Sequence, residues 1–291
     1  MVTAASRADV RHFYHPPTGT LSYVVSDART GSAAVIDPVL GFDVVSGRTD
    51  SRPPQEIVEF ICDHSLRLEW ILETHAHADH LSAAQFIKDA VGGSIAIGDG
   101  VRTIQAHFAL LFNLQLPAGT GGHSFDRLFH DGDPFDVGDF ECRVLATPGH
   151  TNDSITYLVG DAAFVGDSLF MPDIGTARCD FPGGDAGLLY DSVQKILALP
   201  DGTRLFMGHD YPPEGRTLRY ETTVAQQKKS NIHVADGVTR KDFIALREKR
   251  DATLSLPALL LPAIQVNIRA GRLPQSEDNG TAYIKIPLDR L

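Results

Sequence analysis

The chain predicts an α/β protein in which two packed sheets are flanked by helices, an α/β/β/α sandwich. Three observations point there. Stretches rich in β-formers alternate with mixed helix-and-strand stretches, the alternation runs twice along the chain, and residues able to hold a metal fall where the predicted strands end. At 291 residues with 43% apolar composition, the chain has ample core for one large domain or a domain with an appendage.

Taken in order, residues 10–40 read as short strands. Leu21-Ser22-Tyr23-Val24-Val25 and Ala33-Ala34-Val35-Ile36-Asp37 flank a turn-rich segment over 26–32. Ile57, Phe60 and Ile61, following Pro53-Pro54, predict a helix over 55–65. Residues 68–72 read as a strand, 82–90 as a helix and 94–97 as another short strand. Val101, Ile104, Phe108, Leu111 and Phe112 recur at helical spacing, so 101–114 is an amphipathic helix whose aromatics suit core or lid packing. From Arg127 the character turns to β, with Phe135, Phe140, Cys142, Val144 and Leu145 on strands separated by turns at Gly132 and Gly138. Residues 155–159 and 162–165 form a hairpin around Gly160-Asp161, 185–199 a helix and 203–207 a strand. Beyond Gln227, Thr239 and Asp242 mark the start of a helix toward Arg250. A Pro-rich stretch over 256–262 and the alternating Tyr283-Ile284-Lys285-Ile286 follow. This divides the chain into a catalytic domain over 10–230 and a C-terminal extension over 231–291, which packs on that domain or at a homodimer interface.

Composition excludes several partners. A net charge of -11 and the absence of a basic stripe argue against nucleic acid. Arg247-Glu248-Lys249-Arg250 is the densest basic cluster, but it is mixed in sign and reads as a solvated helix face. No run of about 18 apolar residues predicts a membrane span, and residues 1–15 show no secretory signal. Three cysteines, Cys62, Cys142 and Cys179, suit reduced thiols and a cytoplasmic setting.

The chemistry concentrates in Thr74-His75-Ala76-His77-Ala78-Asp79-His80, which follows the apolar run Trp70-Ile71-Leu72. Imidazoles this dense would each need a partner if buried, and one divalent cation satisfies several at once. His150 in Thr147-Pro148-Gly149-His150-Thr151, Asp167 in Gly166-Asp167-Ser168 and His209 in Gly208-His209-Asp210-Tyr211 complete seven candidate ligands. His12, His15, His64, His107, His123, His130 and His233 fall outside any ligand pattern. Two arrangements stay open on spacing. Two ions sharing the seven ligands, bridged by Asp167 and a hydroxide, would favour hydrolysis. One ion held by two histidines and one carboxylate would leave positions for substrate and dioxygen, as in non-haem Fe(II) oxygenases. Spacing alone favours the two-metal case slightly.

Through these four blocks the chain resembles the metallo-β-lactamase superfamily, in the expected order and over residues 10 to about 230. Within it, the likeness is nearest to the persulfide dioxygenases (sulfur dioxygenases). Arg178-Cys179-Asp180-Phe181 resembles their Arg-Thr-Asp-Phe block, and Leu189-Tyr190-Asp191-Ser192-Val193 and Leu199-Pro200-Asp201-Gly202 resemble the family's helix and its exit. Glyoxalase II, the nearest hydrolase relative, lacks the Asp-Phe pairing and normally carries a larger helical domain. Two features depart from the family: Cys179 stands where threonine is usual, and Phe181-Pro182-Gly183-Gly184 differs from the mitochondrial version; the tail beyond Gln227 is also longer than in the mitochondrial enzymes. The resemblance implies a metallo-β-lactamase-like αββα sandwich and one Fe(II) per chain held by His75, His150 and Asp167. His77, Asp79, His80 and His209 would line a vacant second site. It further implies oxidation of glutathione persulfide by O2 and water to sulfite and glutathione. Arg178 would contact substrate or pair with Asp180, and Tyr211 would turn its hydroxyl toward the site. The alternative is a two-zinc, glyoxalase II-type thioester hydrolase or lactonase.

Overall fold

A computed structural model describes residues 7–114 and 124–290. Strands β1 (Asp9–His15), β2 (Thr20–Ser26) and β3 (Ser32–Ile36) open the chain as an antiparallel meander. β4 (Val39–Asp43) and β5 (Arg48–Asp50) form a hairpin off it. Helix α1 (Arg52–Asp63), β6 (Arg67–Leu72), β7 (Leu81–Ser82), α2 (Ala84–Val91), β8 (Ser94–Gly98), α3 (Val101–Phe112) and β9 (Arg127–Phe129) complete the first half. The second half runs β10 (Pro134–Val137), β11 (Phe140–Ala146), β12 (Ile155–Val159), β13 (Ala162–Phe164), α4 (Ala186–Leu197), β14 (Arg204–Phe206) and β15 (Glu221–Thr223). Helices α5 (Val224–Ser230), α6 (Arg240–Asp251) and α7 (Leu260–Asn267) close the chain.

The strands make two six-stranded sheets, β1-β2-β3-β6-β8-β9 and β10-β11-β12-β13-β14-β15. Each begins as antiparallel hairpins and adds a parallel strand after a helix: β6 beside β3, and β14 beside β13. The architectural likeness of the two halves is therefore topological. The small β5-β4-β7 sheet was not foreseen, because β7 is only two residues long. It also corrects the helix expected from Ser82: Leu81–Ser82 is strand, and the helix starts at Ala84.

Period-two alternation explains the layers. Tyr23, Val25, Ala34, Ile36 and Leu72 point into the space between the sheets, meeting Val144, Tyr157, Phe164 and Phe206 of the other sheet. Val24, Val35 and Ile71, one residue out of phase, pack under Ile57, Ile61 and Ile87 of α1 and α2. On the far side, Leu189, Val193 and Ile196 of α4 and Phe243 of α6 cover Ala163, Leu205 and Met207. Helix, sheet, sheet, helix is the order of layers, and the central strands are buried on both faces.

The C-terminal extension packs on this body. Thr239 caps α6 by accepting from the Asp242 amide, as its sequence predicts. Arg247, expected on a solvated face, is 1% exposed: it pairs with Asp251 and donates to the Thr176 carbonyl. Asp251 lies one turn along the same helix, but the loop at Thr176 that buries the pair is distant in sequence, so periodicity could not reveal this. Pro262 sits in the first turn of α7, where a missing N–H costs nothing, so the Pro-rich stretch leads into a helix. The alternating 283–286 segment forms no strand; Lys285 instead exchanges hydrogen bonds with Gln265. Among the described residues, no helix is long and apolar enough to cross a membrane.

His233 is buried, and its Nδ1 accepts the Thr176 amide at 3.0 Å, which requires a neutral ring. Burial, and then the charges of Arg247 and Arg250, push its pKa down to about 4. In the unfolded chain the ring titrates near 6.5. Between these values the unfolded chain binds a proton that the folded chain refuses, so stability is complete above about pH 6.5 and falls as pH drops toward 4. Unfolding free energies from urea titration of the protein and of His233→Asn should diverge by about 2 kcal/mol between pH 7 and 4.5. Parallel pH profiles would remove His233 from the account.

Candidate metal centre

The Glu73–Ser82 connection emerges from the end of β6 and is held from beneath by carboxylates. Asp37 takes the Thr74 amide at 2.7 Å and its hydroxyl at 2.8 Å, while Asp153 takes the Ala76 amide at 2.8 Å. His77 Nε2 donates to Asp37 at 2.9 Å, with Glu73 at 3.4 Å, so its Nδ1 is the nitrogen left facing the cluster. That is the carboxylate–histidine arrangement which orients metal ligands. From above, Asn267 Nδ2 of α7 donates at 2.8 Å to the carbonyls of both His77 and His80, and its Oδ1 accepts the Ser82 amide at 2.8 Å.

The other ligands arrive from the second sheet. His150 follows β11, in a loop drawn tightly onto α4: at Gly149, where φ is 137°, a Cβ would lie 2.2 Å from the Leu189 amide nitrogen. Only glycine fits that approach. His150 Nδ1 lies 2.7 Å from the Arg178 carbonyl, which can only accept. Nδ1 therefore carries the proton, and Nε2 turns inward to within 3.6 Å of Asp167. Asp167 lies on a single 3₁₀ turn after β13, backed by Gly208, whose absent Cβ would fall 2.7 Å from Oδ1. His209 follows β14, its Nε2 3.3 Å from Asp79 and 3.5 Å from Asp167.

Ligand atoms of His75, His150 and Asp167 lie within 4.8 Å of one another, as do those of His77, Asp79 and His80. His75 Nε2, His77 Nδ1, His80 Nε2 and Asp167 Oδ1 are buried, with no hydrogen-bond partner among the described residues. So many unpaired atoms in one place would be costly in a metal-free protein, and together they are the donor set a divalent cation requires. The residues fit a metal. Burial, and then the neighbouring His77 and His150 rings, push the His75 pKa well down, keeping it a neutral lone-pair donor.

Beside the cluster opens a cavity of about 270 Å³. His150, Asp167 and Asp79 form one end, Phe170 and Phe181 line it, and Arg250 and Leu254 of the C-terminal extension reach its wall. Tyr211 lines the cavity with its ring stacked on His209, centroids 5.4 Å apart. Arg178 forks onto Asp180 at 2.6 and 2.7 Å and spends its remaining nitrogen on the Ser255 carbonyl at 2.6 Å. All three contacts are structural. Burial pushes the Cys179 thiol up to about 12, so it is an unreactive bystander. Of the histidines outside the ligand pattern, His12 stacks on Tyr220, His15 bonds Thr18 and His64 bonds the Phe60 carbonyl. His123 lies outside the described residues.

Sequence reading missed Asp37, Glu73, Asp153 and Asn267, while Thr18-Gly19-Thr20 reads in sequence equally as a border of the site or as a hairpin turn. Thr20 donates to Asp79 at 3.3 Å, so the Thr18-Gly19-Thr20 turn borders the site. Asp37, closing the run Ala33-Ala34-Val35-Ile36, was visible as a carboxylate at a strand end. The others carry no local signal.

A sandwich of two mixed sheets with a histidine- and aspartate-rich cluster at the strand ends defines a class of metal-dependent proteins. The profile of the metallo-beta-lactamase superfamily matches residues 15–209, and the chain belongs to that family. It is 50% identical to a probable metallo-hydrolase of Burkholderia pseudomallei over 97% of this chain and 99% of that protein. It is 45% identical to glyoxylase B2 of Dictyostelium discoideum over 99% of each. The mitochondrial persulfide dioxygenase ETHE1 of Bos taurus is 28% identical over 90% of this chain and 88% of that protein. Among solved structures, ETHE1 from Myxococcus xanthus superposes with a TM-score of 0.72 at 30% identity, covering 91% of this chain and 100% of that one.

Proposed function

We propose that the chain is a mononuclear Fe(II) persulfide dioxygenase, converting glutathione persulfide, O2 and water to glutathione and sulfite. The observation that carries this reading is the convergent set of His75, His150 and Asp167: two imidazoles and one carboxylate, the donor set of non-haem Fe(II) oxygenases. Likeness to persulfide dioxygenases over nine-tenths of the chain supports it. Ferrous iron, when bound there, supplies open positions for a sulfur and dioxygen side by side.

The protein's own residues do the rest. Phe170, Phe181 and Leu254 give the cavity apolar walls that exclude water from a reactive sulfur. His150 is locked by its Nδ1 bond, so its inward lone pair needs no reorganisation. Arg178 is spent on Asp180 and Ser255, whereas the guanidinium of Arg250 has no hydrogen-bond or ion-pair partner among the described residues, and Arg250 lines the same cavity. It is the cation suited to a carboxylate of the thiol. Arg250→Ala should raise KM for glutathione persulfide roughly threefold to fivefold with kcat little changed, the worth of one exposed charge pair. An unaltered KM would remove Arg250 from substrate binding.

A two-zinc thioesterase is the second reading, favoured by the unpaired buried nitrogen of His80 beyond the triad, by His209 Nε2 lying 3.3 Å from Asp79, and by the glyoxylase B2 relative. Anaerobic reconstitution with Fe(II), followed by oxygen-electrode measurement, tests the choice. Oxygen uptake strictly dependent on glutathione persulfide, with about one iron per chain, is expected. Hydrolysis of S-lactoylglutathione by protein holding two zincs, without oxygen uptake, would overturn the proposal.

A further inference from the structure

One peptide unit, Arg178–Cys179, stands between a candidate metal ligand and a buried charge pair of the C-terminal extension. Its carbonyl accepts from His150 Nδ1 at 2.7 Å, and its N–H donates to Asp251 Oδ2 at 2.8 Å. Asp251 Oδ1 is bonded by Arg247 Nη2, while Arg247 Nη1 holds the Thr176 carbonyl at 3.0 Å. Asp251 and Arg247 are 5% and 1% exposed. A buried ion pair rarely adds net stability over apolar residues of the same volume, so its placement against this peptide calls for another use.

We propose that Asp251 is a positioning residue for His150, acting through the Arg178–Cys179 peptide. The inference rests on His150 being a metal ligand, which both readings of the function share. Two effects combine. Geometrically, residues 176–180 form no regular secondary structure, and α6 anchors them at both ends of the turn, at the Thr176 carbonyl and the Cys179 amide. Electrostatically, a carboxylate at the N–H end of a peptide pushes electron density toward its carbonyl oxygen, making that oxygen a stronger acceptor. His150 is then held as the Nδ1–H tautomer, with a more basic Nε2 turned inward. This is the carboxylate–histidine–metal relay with one peptide inserted. Arg247 binds the far oxygen of Asp251, so the near oxygen still presents negative charge to the peptide. The extension would thereby tune a ligand it never touches.

The test compares Asp251→Asn, which keeps the shape and an acceptor but drops the charge, with the double variant Arg247→Met/Asp251→Asn. The double variant removes both charges, so no unpaired guanidinium is left to unfold the protein. Competition titration with Co(II) gives metal affinity, and the visible absorption of the Co(II) protein reports ligand geometry. Affinity should fall roughly tenfold to a hundredfold in both variants, with displaced visible bands. A double variant with wild-type affinity and spectrum would overturn the proposal. A lowered urea midpoint of the metal-free protein, with affinity and spectrum unmoved, would show Asp251 to be merely structural and overturn it equally. Finding two zincs and thioester hydrolysis in the wild type would sink the dioxygenase while leaving this relay standing.

Discussion

Asp167→Ala is expected to abolish metal retention and turnover while leaving the polypeptide folded. Asp167 supplies the single carboxylate of the triad, and it lies between His150 and His209 at 3.6 and 3.5 Å. Alanine leaves two neutral imidazoles where a divalent cation needs a charged donor. Loss of a supporting partner already costs roughly tenfold to a hundredfold in metal affinity, and loss of a ligand should cost at least the upper figure. The fold should tolerate the change, because Asp167 Oδ1 has no hydrogen-bond partner among the described residues for alanine to orphan. Metal bound only to the folded state raises its stability by mass action. The wild type should therefore melt higher with iron than after chelation, and Asp167→Ala should melt the same either way. A variant still holding one iron per chain would refute the triad.

Asn267→Ala is expected to be the most damaging single substitution outside the ligands. Its amide makes three buried hydrogen bonds to the ligand loop, two to carbonyls and one from an amide, each at 2.8 Å. Alanine would leave the His77 and His80 carbonyls and the Ser82 amide without partners. At roughly 1–3 kcal/mol per orphaned group, the loss is on the order of 3–5 kcal/mol, a large share of the 5–15 kcal/mol that stabilises an ordinary domain. Gln265→Ala is the control. Gln265 sits on the same helix and also bonds backbone, at the Leu261 and Lys285 carbonyls, but away from the ligands. Denaturant midpoints should fall for both variants, whereas bound metal should fall only for Asn267→Ala. Equal metal content in the two would show that α7 stabilises the body without shaping the loop.

The contrast between these two substitutions marks how much of the protein was legible before its structure. Asp167, His75 and His150 stood out because polar ligands clustered after apolar strand-forming runs have few other uses. Helices α1, α3, α4 and α6 were readable in the sequence, α3 from its periodicity and α6 from its Thr239 cap. Asn267 was not readable: an asparagine after a Pro-containing apolar run looks like any helix end, and the backbone it serves lies 185 to 190 residues earlier. Arg247 was misread for the same reason. A basic residue in a run of charges looks solvated, even with Asp251 one turn along the same helix, until the loop at Thr176 is brought alongside. The two-residue strand β7 is too short for any period to show.

By itself, the sequence determined the sandwich of layers, the seven candidate ligands and the net negative charge. All of these are written in local periodicity, spacing and charge, which depend on neighbours along the chain. Only the tertiary structure decided which ligands converge, that Arg178 is spent on structural contacts and that the C-terminal extension grips two ligand loops. Those outcomes depend on groups meeting across separations that run from 17 positions for His150 and Asp167 (167 − 150) to 190 for Asn267 and His77, and such contacts leave no periodic trace in the residues that make them.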